Sequence, residues 1–168
     1  MISTLAVACA VELVGGLKAE IKWPNDVLVN GKKICGIMIE SGITGNLVNY
    51  AVIGIGLNVN MRMQEYPEIV SIATSLSDQA GKEISMVLIA RTILEQLEKW
   101  YAAVLAGEPV FHTWRDRLVT LGKQVTVKAG NAEYSGVAES VDADGSLMIR
   151  QPDGSLVTVP VGDVTLRR

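Results

Sequence analysis

Residues 21–40 read IKWPNDVLVNGKKICGIMIE, and the spacing within this stretch decides how the first part of the chain folds. Asn30 and Gly31 stand between two apolar runs. A type I′ turn requires φ > 0 at both central positions, which Asn-Gly tolerates best, so the pair predicts a hairpin joining strands over 27–29 and 33–41. Pro24 ends a short strand over 21–23, because proline fixes φ and removes a backbone donor. Asn25 and Asp26 then present an amide and a carboxylate at a strand end, where a carboxylate can hold a cation or orient a base; the same spacing also suits an ordinary turn. Lys33 enters the apolar run 34–39. At the mouth of a buried strand its ammonium can meet carboxylate or phosphate oxygens in partly desolvated surroundings, where charge is worth more than in water. As a solvated edge charge it would only discourage strand pairing. Gly36 leaves room for a ligand to lie against the backbone.

Moving outward, residues 42–46 read as a second connection and 47–57 as a strand. Within it, 51–57 runs almost without polar interruption and is expected to be a central strand covered on both faces. Gly54 and Gly56 permit close approach of a flat ligand, and Asn58 offers both the donor and the acceptor that an adenine edge requires. Glycines in a strand can equally mark a bulge, and no G-x-G-x-x-G precedes a helix here. Upstream, residues 2–14 form an apolar helix stopped at Gly15-Gly16. Such a helix must be covered on most of its surface, yet no strand or turn precedes it, so further material is expected upstream.

Downstream, 58–70 is polar and irregular, and a short helix near 75–80 stops at Gly81. Ser85 caps a long helix to Ala106 whose stripe of Leu88, Ile89, Ile93, Leu97, Trp100, Val104 and Leu105 predicts one buried face. Pro109 opens a shorter helix with Val110, Phe111, Trp114 and Leu118 inward. After Leu121 come short alternating segments over 124–128, 133–141, 146–150, 156–160 and 164–166, separated by Gly-Asn, Asp-Gly and Gly-Asp turns, a pattern that suggests a small barrel. A unit of roughly fifty residues buries little alone and should lean on the first domain.

The chain has 168 residues, 49% hydrophobic and 20% charged, which excludes disorder as its main state. Lys and Arg number 15 against 18 Asp and Glu, a net charge of −3 that argues against a protein built to neutralise nucleic-acid phosphates. No apolar run reaches the roughly 18 residues of a membrane span. A soluble, untargeted, cytoplasmic protein is the expectation. Cys9 and Cys35 both lie in apolar runs and read as reduced core thiols. With His112 as the single histidine, a multi-histidine metal site is impossible, and His112 receives no role.

Taken in order, Lys22-Trp23-Pro24-Asn25-Asp26, then residues 30–40, then Gly54-Ile55-Gly56-Leu57-Asn58-Val59-Asn60, closely resemble the biotin protein ligases, as does Ala73-Thr74-Ser75-Leu76. The resemblance implies an α+β fold: a mixed β-sheet with flanking helices of the class II synthetase kind over 1–118, then an SH3-like barrel over 119–168. It implies ATP-dependent activation of biotin to biotinyl-5′-AMP and transfer to a lysine of biotin carboxyl carrier protein. By this resemblance the catalytic residues are Lys33, Asp26 and Asn25. Lys33 bridges the biotin carboxylate and the α-phosphate, and Asp26 lies near Mg²⁺ and the phosphates. Gly36, Ile37, Gly54, Gly56 and Asn58 join Lys33 in binding biotin and nucleotide, with Asn58 reading adenine. Family members also dimerise through a sheet edge, so a homodimer is expected. The family's Ser-Thr pair, glutamine and Gly-Arg-Gly-Arg-x-Gly-Arg loop do not occur in these residues, nor does a helix-turn-helix for DNA. The chain thus resembles the second half of the catalytic domain plus the barrel, with impaired activity by itself. The alternatives are a noncatalytic biotinyl-adenylate or adenine-nucleotide binding module and a protein-interaction module.

Overall fold

The computed structural model describes residues 1–45 and 47–166. The fold is α+β, with two antiparallel sheets and four helices among the described residues. Helix α1 (Ile2–Gly15) ends where Gly16 turns left-handed at φ 67° and its N–H donates to the Glu12 carbonyl. Strands β1 (Ala19–Lys22), β2 (Asp26–Val29), β3 (Lys32–Thr44) and β4 (Leu47–Leu57) follow and pair in chain order, each antiparallel to the next. Asn30 and Gly31 take φ of 50° and 74°, as the hairpin reading requires. After a single 3-10 turn (Met63–Glu65) come α2 (Leu76–Ala80), α3 (Met86–Leu105) and α4 (Val110–Arg115). The Ser75 and Ser85 hydroxyls each accept a hydrogen bond from the backbone N–H three residues on, satisfying orphan donors of α2 and α3.

The second sheet contains β5 (Gln124–Ala129), β6 (Ala132–Val141), β7 (Leu147–Arg150), β8 (Leu156–Val159) and β9 (Asp163–Leu166), in the order β8-β7-β6-β5-β9. Strands β8 and β9 stand at opposite ends, and no pairing closes them into a ring among the described residues. Two apolar cores result. Val7 and Val11 of α1 pack with Val27, Val29, Ile34, Ile37, Leu76, Ile89 and Ile93, while Leu5 joins Ile21, Trp23, Val110, Trp114 and the inner face of the second sheet. One helix serving two cores explains why α1 is apolar nearly all round. No helix among the described residues is long and apolar enough to cross a membrane.

Four expectations change. The first sheet is antiparallel in every strand pair among the described residues, where a mixed sheet was expected, because each strand follows its neighbour through a short connection and no crossover lies between them. Strand β4 is an edge of the first sheet, and Leu47, Val48, Tyr50, Val52 and Ile53 are exposed, where a central strand covered on both faces was expected. A continuous apolar run signals burial only if something is present to cover it. On α3, Ile89, Ile93 and Leu97 meet the first core and Trp100 and Ala103 the second, but Leu88, Val104 and Leu105 of the expected inward stripe lie to the side of that contact line and are exposed. The connection expected over 42–46 is shorter: Gly42 belongs to β3, where the register shifts, and Asn46 lies outside the described residues.

Candidate functional site

Lys33 is held in place before its side chain does anything. Its N–H donates to the Ile72 carbonyl at 2.8 Å, and its own carbonyl accepts from the Thr74 N–H at 2.8 Å. The same crossing segment reaches the end of β4. Asn58 donates its N–H to the Ile34 carbonyl (2.9 Å) and its Nδ2 to the Thr74 carbonyl (3.1 Å), and its carbonyl accepts from Leu76 (2.8 Å). Lys33 and Asn58 thereby line one concavity of about 270 Å³, together with Gly36, Gly56, Cys35 and Ala73. Gly36 and Gly56 are directly paired across β3 and β4, so that stretch of sheet is bare backbone.

Asp26 stands opposite Gly36 in the β2–β3 register. Its Oδ1 lies 2.6 Å from Lys33 Nζ and its Oδ2 lies 3.9 Å from Lys22 Nζ; the carboxylate side chain is 16% exposed against 46% for Lys33. A Cβ on Gly36 would stand 3.0 Å from Lys33 Nζ and 3.1 Å from Cε. The missing side chain at position 36 therefore leaves the ammonium uncrowded where it lies across β3 toward Asp26. Asn25, which follows a cis Trp23–Pro24 peptide, is committed to the sheet: its Nδ2 donates to the Ile37 carbonyl at 2.6 Å, and the Ile37 N–H returns a bond to the Asn25 carbonyl at 3.1 Å.

Lys33, Gly36, Gly56 and Asn58 share the concavity; Asp26 and Asn25 do not line it, Asp26 reaching it through the ion pair with Lys33 and Asn25 being bonded to Ile37 beside it. Ile37 faces the first core, buried, and meets the site only through its backbone. Gly54 pairs with Met38 farther along the hairpin and does not line the concavity. Cys35 is buried, and burial pushes its thiol up to about 12; Lys33 pulls the other way and Asp26 adds to the rise. It remains a thiol at neutral pH. Cys9 is half-buried, and both cysteines are free. Sequence reasoning gave no role to Lys22, although its position four residues before Asp26 was a usable signal, nor to Ile72 and Thr74, whose contribution is made by backbone atoms. A larger groove of about 320 Å³ between β4 and α3 is walled by aliphatic side chains such as Ile55, Leu57 and Ile93, and carries no comparable chemistry.

A sheet end where a lysine and a carboxylate meet over exposed backbone, beside an asparagine, defines a class of site suited to negatively charged ligands. The comparisons give that class its family. Residues 2–58 match the Biotin/lipoate A/B protein ligase family, and 120–167 match the Biotin protein ligase C terminal domain. The biotin--[acetyl-CoA-carboxylase] ligase of Paracoccus denitrificans is 30% identical over 173 residues, covering 97% of this chain and 70% of its own length. The bifunctional ligase/repressor BirA of Bacillus subtilis (strain 168) is 33% identical over 157 residues, covering 92% of this chain and 48% of its own length. The biotin protein ligase from Aquifex aeolicus in complex with biotin and ATP superposes with a TM-score of 0.83 at 25% identity, covering 99% of this chain and 69% of that one. The chain belongs to the biotin protein ligase family. It spans about half the length of its BirA relatives.

Proposed function

We propose that the site joins biotin to ATP, forming biotinyl-5′-AMP with loss of pyrophosphate, and that biotin then passes to a lysine of a biotin carboxyl carrier protein. In the first step a biotin carboxylate oxygen bonds to the α-phosphorus as the bond to the pyrophosphate oxygen breaks. In the second, the acceptor amine attacks the acyl carbon and AMP leaves. Two anions must meet in the first step, and charge on the phosphoryl oxygens has to be balanced as they do. The observation that carries this reading is the Lys33 ammonium, held 2.6 Å from Asp26 at the mouth of a concavity whose floor is glycine backbone. Lys33 supplies the fixed cation between the reactants, and Asp26 holds it there until they arrive. Asn25 keeps the end of β2 clamped to β3. Gly36 and Gly56 form the floor for biotin and nucleotide, Gly54 and the Ile37 backbone continue the hairpin beside it, and Asn58 contacts adenine.

Among the described residues no group of three His, Cys, Asp or Glu gathers to hold a metal. Mg²⁺ commonly keeps its waters and binds substrate phosphates with only one or two carboxylates, so it would come with ATP. Asp26 Oδ2, whose lysine stands at 3.9 Å, fits that single-carboxylate role. The exposed β4 edge supports a homodimer with sheets side by side. The strand order of the second sheet is compatible with an SH3-like unit, and the C-terminal domain match that begins at residue 120 supports a division near residue 119, although the core under that sheet also takes in Leu5, Ile21, Trp23 and Trp114.

A second reading is favoured by one observation. The site offers two ammonium groups, Lys22 and Lys33, and both already face a single carboxylate. That supply of positive charge suits a noncatalytic binder of biotinyl-adenylate or adenine nucleotide. Biotin-dependent ATP–pyrophosphate exchange decides between them. On the first reading exchange is detectable, and Lys33→Ala lowers it by at least about 10²-fold with the fold retained. Tight adenylate binding without any exchange would establish the second.

A further inference from the structure

Trp23 sits in the link between β1 and β2 of the first sheet, yet its indole is buried in the second core, 1% exposed. Its backbone N–H donates to Thr120 Oγ1 at 2.9 Å, and Nε1–H donates to the Gly145 carbonyl at 2.8 Å. Thr120 is itself fully buried. Just before it the main chain is bound twice more: Ile21 N–H donates to the Arg117 carbonyl and Val119 N–H donates to the Ile21 carbonyl, both at 2.9 Å. Four hydrogen bonds thus tie residues 21–23 to the entry of the second sheet and to its β6–β7 turn. Asn25 and Asp26 follow two and three residues later.

We infer that Trp23, Thr120 and Gly145 form a positioning device through which the C-terminal sheet sets the placement of Asn25 and Asp26, and through them the Lys33 ammonium. None of the three lines the concavity beside Lys33, so they are positioning residues. The physical argument is one of constraint. The Trp23 N–H has no water to turn to, so losing its acceptor leaves a buried donor unpaired unless the backbone moves. Movement at Trp23 passes directly to Asn25, whose 2.6 Å bond to the Ile37 carbonyl holds the end of β2 against β3. A misplacement approaching 1 Å at a reacting group costs on the order of 10²-fold in rate, and smaller shifts cost less. The catalytic consequence rests on the proposed ligase reading; the mechanical coupling does not.

The test uses the whole 168-residue chain and three variants. Thr120→Val removes the acceptor at nearly constant volume, Thr120→Ser keeps a hydroxyl, and Ile149→Val loosens the same core while leaving every partner of the four hydrogen bonds in place. The Trp23 indole and Asn25 side-chain amide resonances are followed by ¹H–¹⁵N NMR, and kcat and KM by biotin-dependent exchange. Thr120→Val is expected to shift the Asn25 amide and to lower kcat about tenfold, with KM for ATP changed less than about twofold. Thr120→Ser should restore both, and Ile149→Val should leave the Asn25 amide in place. If Thr120→Val does not fold, Trp23→Phe, which loses the bond to Gly145 together with part of the buried ring, must shift the same amide. An unmoved Asn25 amide, or an equal movement in Ile149→Val, overturns the coupling. A shifted amide in a chain whose wild type shows no exchange sustains the coupling and removes the ligase reading.

Discussion

At position 36 a single hydrogen in place of a methyl group decides where a charge can sit. A Gly36→Ala Cβ would stand inside ordinary van der Waals distance of Lys33 Nζ and Cε, so the lysine end would have to give by a few tenths of an ångström at its place beside Asp26. Gly36 lies in an ordinary strand and its φ is not positive, so alanine costs the backbone little there. Gly36→Ala is therefore expected to melt close to the parent and to lose about tenfold or more in exchange rate; a normal rate would detach Gly36 from the placement of Lys33. One residue away, Cys35 imposes a pH dependence on stability. Its ordinary value is 9.0 and its folded value about 12. Below pH 9 both states keep the proton. Between 9 and 12 the unfolded chain releases it and the native chain does not, so the native state binds more protons and stability falls as pH rises, by up to about 1.4 kcal/mol per pH unit. Urea midpoints measured from pH 8 to 10.5 should fall more steeply in the parent than in Cys35→Ala.

Among the elements, the least conspicuous one holds the site together. The segment from Ile72 to Leu76 is mostly irregular, yet its backbone bonds to Lys33 and Asn58 join the start of β3 to the end of β4. It is anchored at its far end by α2, where the fully buried Ser75 hydroxyl accepts from the Asp78 N–H at 3.1 Å. Ser75→Ala leaves that donor without its cap and is expected to cost about 1–2 kcal/mol, read as a lowered urea midpoint at unchanged slope. The turn between β2 and β3, the glycine stops and the Ser85 cap were legible in the sequence, since each depends on the φ or hydrogen bonding of residues within one turn of the chain. The pairing of Lys33 with Ala73 was not, because it is made by main-chain atoms common to every residue type.

For the molecule as a whole, α1 and the two cores make a single mechanical body. Arg117 grips Glu12 of α1 with two bonds of 2.7 and 3.1 Å, and the carboxylate beside it holds the guanidinium above its usual range. The apolar surface left open is concentrated on β4 and on the outer side of α3. If β4 pairs with a second copy, sedimentation at rising concentration should approach the mass of a dimer. Val52→Lys should then return the chain to monomer and remove any dependence of melting on protein concentration, because a charge on a strand edge opposes edge-to-edge pairing. A parent that stays monomeric at high concentration would exclude this mode of association.

The sequence alone determined the hairpin at Asn30-Gly31, the helix limits at Gly16, Ser75, Ser85 and Gly81, the five short strands after Leu121, and the motifs by which the family is known. These follow from local backbone preference and from residue types at fixed spacing. Tertiary structure alone decided that β4 is an edge, that Ile37 turns into the core while Gly36 faces the concavity, and that Asp26 is shared by two lysines. It also assigned Trp23 to the core of the opposite sheet, bonded to a threonine 97 residues away. Which face of a sheet is covered, and which distant acceptor a buried donor finds, are set by packing between elements and leave no periodic trace along the chain.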